Sequence, residues 1–180
     1  MTNRKLLALT FLVAVLVVFV VHALDFYGSV PNFTRSSGGG TLLDTKPSFS
    51  EEEIYARLQD YGEEGRRLYF FRNVTVDVLL PLSLLPFLFL FMREALKALD
   101  LGPVSRVVLI SLPFAYVAFD FAENAAVLAL LAAFPERVHP LASVLPYLTL
   151  VKRTASILAL IVPVAVLSFG FVRRWLRKVF

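Results

Sequence analysis

Residues 6–24 read LLALTFLVAVLVVFVVHAL, nineteen residues without a formal charge, directly behind Asn3, Arg4 and Lys5. At 1.5 Å per residue a helix of that length covers about 28 Å, close to the roughly 30 Å hydrocarbon core of a bilayer. A helix that is apolar all round has no face to offer to water, so this stretch predicts a membrane span. A cleaved signal peptide is the rival reading, because Val21, His22 and Ala23 are spaced somewhat like a peptidase site. The run outlasts the roughly 7 to 15 apolar residues of a signal core, and a retained anchor is expected.

Working outward, three more apolar runs follow, at Val74–Met92, Val107–Phe134 and Thr154–Val172. The 180-residue chain is 58% hydrophobic with a mean hydropathy of +0.73, against about 45–50% apolar for a soluble domain. The expected fold is an all-α membrane protein, a single domain over residues 1–180. It is a four-transmembrane-helix bundle with spans of about 6–24, 74–92, 107–134 and 154–172 and a long outer loop over 25–69. Pro81 and Pro86 fall inside the second span, where membrane helices tolerate proline although each frees a carbonyl. The third run exceeds what a bilayer needs and must tilt or project. The start of the fourth stays open. Leu141–Val151 is apolar but is interrupted by Pro146 and followed by Lys152 and Arg153, so it is either an extension of the same helix or an interfacial piece.

The loop divides by composition. Its first half, through Arg35-Ser36-Ser37-Gly38-Gly39-Gly40, predicts a flexible segment. In the second half, Ser50 with Glu53 fits a capping box, three glutamates fill a first turn, and Ile54, Leu58 and Tyr61 recur at helical spacing. These residues predict a short amphipathic helix over Glu51–Tyr61, with Gly62 as its left-handed stop.

Basic residues next to the spans orient the bundle. Arg4 and Lys5, then Arg93, Lys97 and Arg106, then Arg173, Arg174, Arg177 and Lys178 would share one side with only Glu94 and Asp100. By the positive-inside rule both termini are expected in the cytoplasm of a plasma or inner membrane, the basic tail resting on the anionic leaflet. The net charge of +4 therefore reads as a topology signal, and no nucleic-acid partner is expected. There are no cysteines, which excludes disulfides, thiolate metal sites and thiol nucleophiles. The layout resembles claudin-like tetraspan proteins, with their long first outer loop, and four-helix membrane oxidoreductases by size; the cysteines that both use are missing.

Three spans carry polar stripes where the bilayer makes them costly, about 2.5–3.5 kcal/mol for a central aspartate or lysine on insertion scales. Arg66, Tyr69, Asn73 and Asp77 follow one face of the second helix, and Tyr116, Asp120, Glu123 and Asn124 one face of the third. Thr149, Lys152, Arg153 and Ser156 supply a basic counterpart on the fourth. The candidate site is thus Asn73, Asp77, Tyr116, Asp120, Glu123, Asn124, Lys152 and Arg153, converging in the outer half of the bundle. Such a cluster either fixes helix register or lines a polar pocket.

Other motifs carry less. Glu136-x-x-His139 is half of a metal motif, flanked by Pro135 and Pro140, and neither a metal nor a cofactor is expected. Asn32-Phe33-Thr34 and Asn73-Val74-Thr75 are glycosylation sequons, and no phosphate loop, nucleophile elbow or HExxH occurs. The leading expectation is a non-catalytic module that binds membrane lipid, a membrane-protein partner or a second copy of itself. The alternatives are a membrane-embedded acid–base enzyme on a lipid-like substrate and a proton-coupled carrier.

Overall fold

The fold is seen in a computed structural model that describes residues 3–179, with side chains described through Gly170 and at Val172. Arg173, Arg174, Arg177 and Lys178, read as a membrane anchor, have side chains outside that range. All regular structure among the described residues is helical: α1 (Asn3–Ala23), α2 (Val30–Ser36), α3 (Glu51–Asp60), α4 (Gly62–Val74), α5 (Val76–Ala95), a short 3-10 turn (Leu96–Ala98), α6 (Pro103–Ala133) and α7 (His139–Val179). Four stretches are long and apolar enough to cross a membrane: Asn3–Ala23, Gly62–Ala98, Pro103–Ala133 and His139–Gly170. The chain is an integral membrane protein of helical-bundle type.

The fourth helix begins at His139 and runs through both Pro146 and Pro163, so Leu141–Val151 is an extension of the same helix. At 31 and 41 residues, α6 and α7 measure about 46 and 61 Å, well beyond the hydrocarbon thickness. They also form the most extensive helix pairing. Buried Tyr116, Asp120, Glu123, Val127 and Leu130 on α6 face buried Ala142, Leu145, Thr149, Lys152, Ala155 and Ala159 on α7, each set recurring every three or four residues. Alanines at such a seam let two backbones approach, which matters in lipid, where apolar side chains gain nothing by leaving the solvent.

The excess length of α6 and α7 serves a second purpose. Their neighbouring ends, with α2, α3 and α4, enclose a core of Phe33, Ile54, Leu58, Tyr61, Tyr69, Val127, Leu130 and Leu145. Exposed Glu52, Glu53, Glu63, Glu64 and Arg67 mark this end as facing water, so each large apolar side chain buried there contributes about 1.5–3 kcal/mol. This cap corrects the expectation of a flexible first half-loop. Ser29 caps α2 by accepting from the Asn32 backbone amide, and Phe33, fully buried, packs edge-on against Tyr61 and at a tilt against Tyr69, with ring centroids 5.1 and 5.2 Å apart. Gly38 and Gly39 then turn the chain at positive φ. The serine–glycine stretch is a tight turn fixed by an aromatic anchor.

Ser50 accepts from the Glu53 amide at 3.3 Å to start α3. The Glu53 carboxylate accepts from Ser48 Oγ at 2.7 Å, and Ser48 Oγ accepts the Ser50 amide at 3.1 Å, so the reciprocal arm of the box passes through a third residue. Gly62 takes φ +65° and leads directly into α4. The second span survives both of its prolines and breaks instead at Thr75, whose φ of −124° and ψ of −78° are not helical. A second, lower core of Leu88, Tyr116, Val117, Ala155 and Ala159 fills the bundle beyond the charged residues.

Candidate functional site

Between the two cores lies a layer of charge. Lys152 on α7 is its hub: its ammonium contacts the Glu123 carboxylate directly and reaches Asp120 at 3.4 Å and Asp44 at 3.6 Å. Glu123, fully buried on α6, also meets the Thr149 hydroxyl, whose single proton is shared between that carboxylate and Leu145 O at 3.1 Å. Asn124, one residue on, splits its amide between Asp120 Oδ2 at 3.2 Å and the backbone carbonyl of Asp77 at 3.1 Å. Seam position thus decides the partners, since one turn of α6 presents Asp120, Glu123 and Asn124 toward α7 and α5 together.

Asp77 takes its ion pair from its own span: its carboxylate meets Arg72 at 2.8 Å. Five residues apart on an unbroken helix, the two would point about 140° apart; the break at Thr75 lets the end of α4 fold its guanidinium back over the start of α5. Arg72 is almost wholly buried and also donates to Gly28 O at 2.9 Å, tying the turn after α1 to the layer.

Two predicted positions stand apart from the network. Arg153 turns to the strap before α3, donating to Asp44 O at 2.7 Å and Thr45 O at 2.6 Å. Asn73 is buried but spends its amide on Tyr69 O, four residues back at 3.3 Å. Tyr116 sits one turn below Asp120, its ring shared by the lower core and the wall of a cleft. Of the other stripe residues, Arg66 stacks over Phe134 at 4.3 Å and donates to Leu58 O, binding α4 to the cap.

Arg72 and Asp44 escaped the sequence reading. Arg72 keeps helical spacing from Tyr69 but stands five residues before Asp77, a separation that gives no shared face on a regular helix, and Asp44 sits in irregular chain that has no periodicity. Asp44 is positioned by arginines at both ends of its strap. Arg57 takes the carbonyls of Thr41, Leu42 and Lys46, while Arg153 takes those of Asp44 and Thr45.

The charged layer opens on one side into a cleft of about 890 Å³. No family model, no curated protein and no solved structure matches the chain. The cleft is walled by Phe11, Val15 and Phe19 of α1, Leu80 and Leu84 of α5, and Ile157 and Leu160 of α7, with Asp44, Arg72, Asp77, Asp120 and Lys152 at its polar end. It exists because α1 packs along α5 and against α2 but makes no comparable contact with α6 or α7. Among the described residues, no group of three His, Asp or Glu side chains could hold a metal ion. His139 of the half-motif instead contacts Glu51 at 2.6 Å.

Proposed function

We propose that the protein binds an amphiphilic membrane lipid, with its chain in the cleft between α1 and α7 and its head group against the charged layer. One observation carries this reading: a single cavity joins an apolar trough, walled by three of the candidate membrane spans, to buried charged side chains. Few ligands other than amphiphiles suit both halves, because an apolar molecule would leave the charges undersolvated and a small polar one would leave the trough in contact with nothing. The lower core fills the bundle beyond the layer, which lends a carrier pathway no support.

In the proposed topology all four long helices span, so both termini share the cytoplasmic side. The strap, α2 and α3 then form a roof on the outer face, with the amphipathic α3 turning Ile54 and Leu58 into the cap. The test is lipid co-purified with the full chain, measured by mass spectrometry. Leu160→Trp, which narrows the cleft, is expected to lower the bound lipid, whereas Val107→Trp, on an exposed face of α6 away from the cleft, is expected to keep it. Equal lipid in the two variants would count against the proposal. An acid–base enzyme is the second reading, favoured by Asp120, whose carboxylate meets Lys152 and also lines the cleft. It requires Asp120→Asn to retain an unaltered lipid that the native chain converts.

A further inference from the structure

The charged layer is out of balance, and the imbalance lies beside the cleft. One ammonium, that of Lys152, faces three carboxylates: Asp44 at 3.6 Å, Asp120 at 3.4 Å and Glu123 in direct contact. The Arg72 guanidinium pairs with Asp77 at 2.8 Å and donates to a backbone carbonyl, its Nε alone lacking a partner. Arg153 is the next cation along α7, and it is spent on the carbonyls of Asp44 and Thr45 at the roof. Four carboxylates therefore meet two cationic side chains in the layer. Asp44 Oδ1 is buried without a hydrogen-bond partner, and both Asp44 and Asp120 form part of the cleft wall. Burial makes unmatched charge expensive, and a bound group of opposite sign at the open side removes that cost.

We infer that the head group held at the end of this cleft is a cation, an amine carried on a hydrocarbon chain. This rests on the lipid-binding reading and narrows it: the trough takes the chain, Asp44 and Asp120 take the ammonium, and Lys152 stays bound to Glu123 behind them. A purely anionic head would have to approach two carboxylates to reach the same place. Charge complementarity of this kind governs selection among ligands more than total affinity.

The experiment uses the full chain in maltoside micelles and native mass spectrometry. Dodecylamine, 1-dodecanol, dodecyl sulfate and butylamine are each offered at equal concentration. Dodecylamine is expected to be retained at least about tenfold more than any of the other three. Asp44→Asn and Asp120→Asn should each shrink that preference by about tenfold; the first lies in the strap and disturbs no helix, so it guards against a folding artefact in the second. Leu160→Trp should weaken the retention of all the twelve-carbon probes. Alcohol or sulfate retained as well as the amine would overturn the cationic assignment and leave lipid binding standing. Butylamine retained as well as dodecylamine would show a small-cation site and overturn the amphiphile. No retention of any twelve-carbon probe, or retention unaffected by Leu160→Trp, would overturn both readings together.

Discussion

Asn124 donates its side-chain amide to the backbone carbonyl of Asp77 at 3.1 Å, and Pro81 is the reason that carbonyl is free. Proline has no N–H to return to the residue four positions earlier, so a helix carrying one exposes an acceptor that lipid cannot satisfy. Here α6 supplies the missing donor, and a local defect of α5 becomes an interhelical bond. Asn124→Ala is expected to cost about 1 kcal/mol, in the range of polar contacts between membrane helices. In a Pro81→Ala background the restored N–H should take over the carbonyl and the same substitution should cost less. Reversible unfolding in mixed micelles measures both; equal costs would break the link between proline and asparagine.

Lys152 separates three carboxylates that would otherwise repel. Lys152→Leu leaves them without an ammonium and is expected to destabilise by about 3–5 kcal/mol, the usual result of stripping one partner from a buried pair. Adding Glu123→Gln keeps the shape and the Thr149 contact while removing one negative charge. The double variant should therefore be more stable than Lys152→Leu alone, and the opposite order would argue against Glu123 as the principal partner.

Burial pushes the Tyr61 phenol from its ordinary 10.0 up to about 12, while its hydroxyl donates to Thr41 O at 2.5 Å. The folded chain thus keeps a proton that the unfolded chain has already lost. Its stabilising contribution is complete below about pH 10 and disappears as pH rises through about 12. Tyr61→Phe is expected to be about 1 kcal/mol less stable at neutral pH, for want of one hydrogen bond, and to flatten the alkaline decline of the unfolding midpoint. A native protein whose midpoint is level across that interval would contradict the assignment.

Topology is open to direct measurement because the chain contains no cysteine. Glu63→Cys, exposed at the cap, and Ala98→Cys, exposed at the turn between α5 and α6, sit at opposite ends of the second span. A membrane-impermeant thiol reagent on intact cells should label the first and spare the second. Ser37, though in the same loop, is buried and would give a false negative. Labelling of Ala98→Cys alone would invert the proposed orientation.

The spans were legible because a bilayer imposes a length and forbids charge, and nineteen uncharged residues at Leu6–Leu24 satisfy both rules without any neighbour's help. Asp120, Glu123, Asn124 and Lys152 were legible for a related reason, since regular helices carry spacing into direction. Arg72 was hidden by the break at Thr75, a departure from regularity that Thr75 itself does not announce. Asp44 was hidden because irregular chain converts no spacing into position; its location depends on Arg57 and Arg153, distant in sequence and each reading as a surface or stripe residue. The roof was underestimated because serine and glycine count locally as flexibility, while Phe33, with Val30 beside it, holds that segment in the core.

The attachment of α1 mainly to α5, burying only Ala14 and Val21 among its side chains, leaves the cleft one wall short. In a membrane the surrounding acyl chains complete it, so the enclosure is built partly from protein and partly from solvent. Its width then answers to the lateral pressure and thickness of the host bilayer, and on the proposed lipid-binding reading affinity becomes a joint property of the two. A dissociation constant taken in a micelle and one taken in a vesicle would describe differently shaped containers.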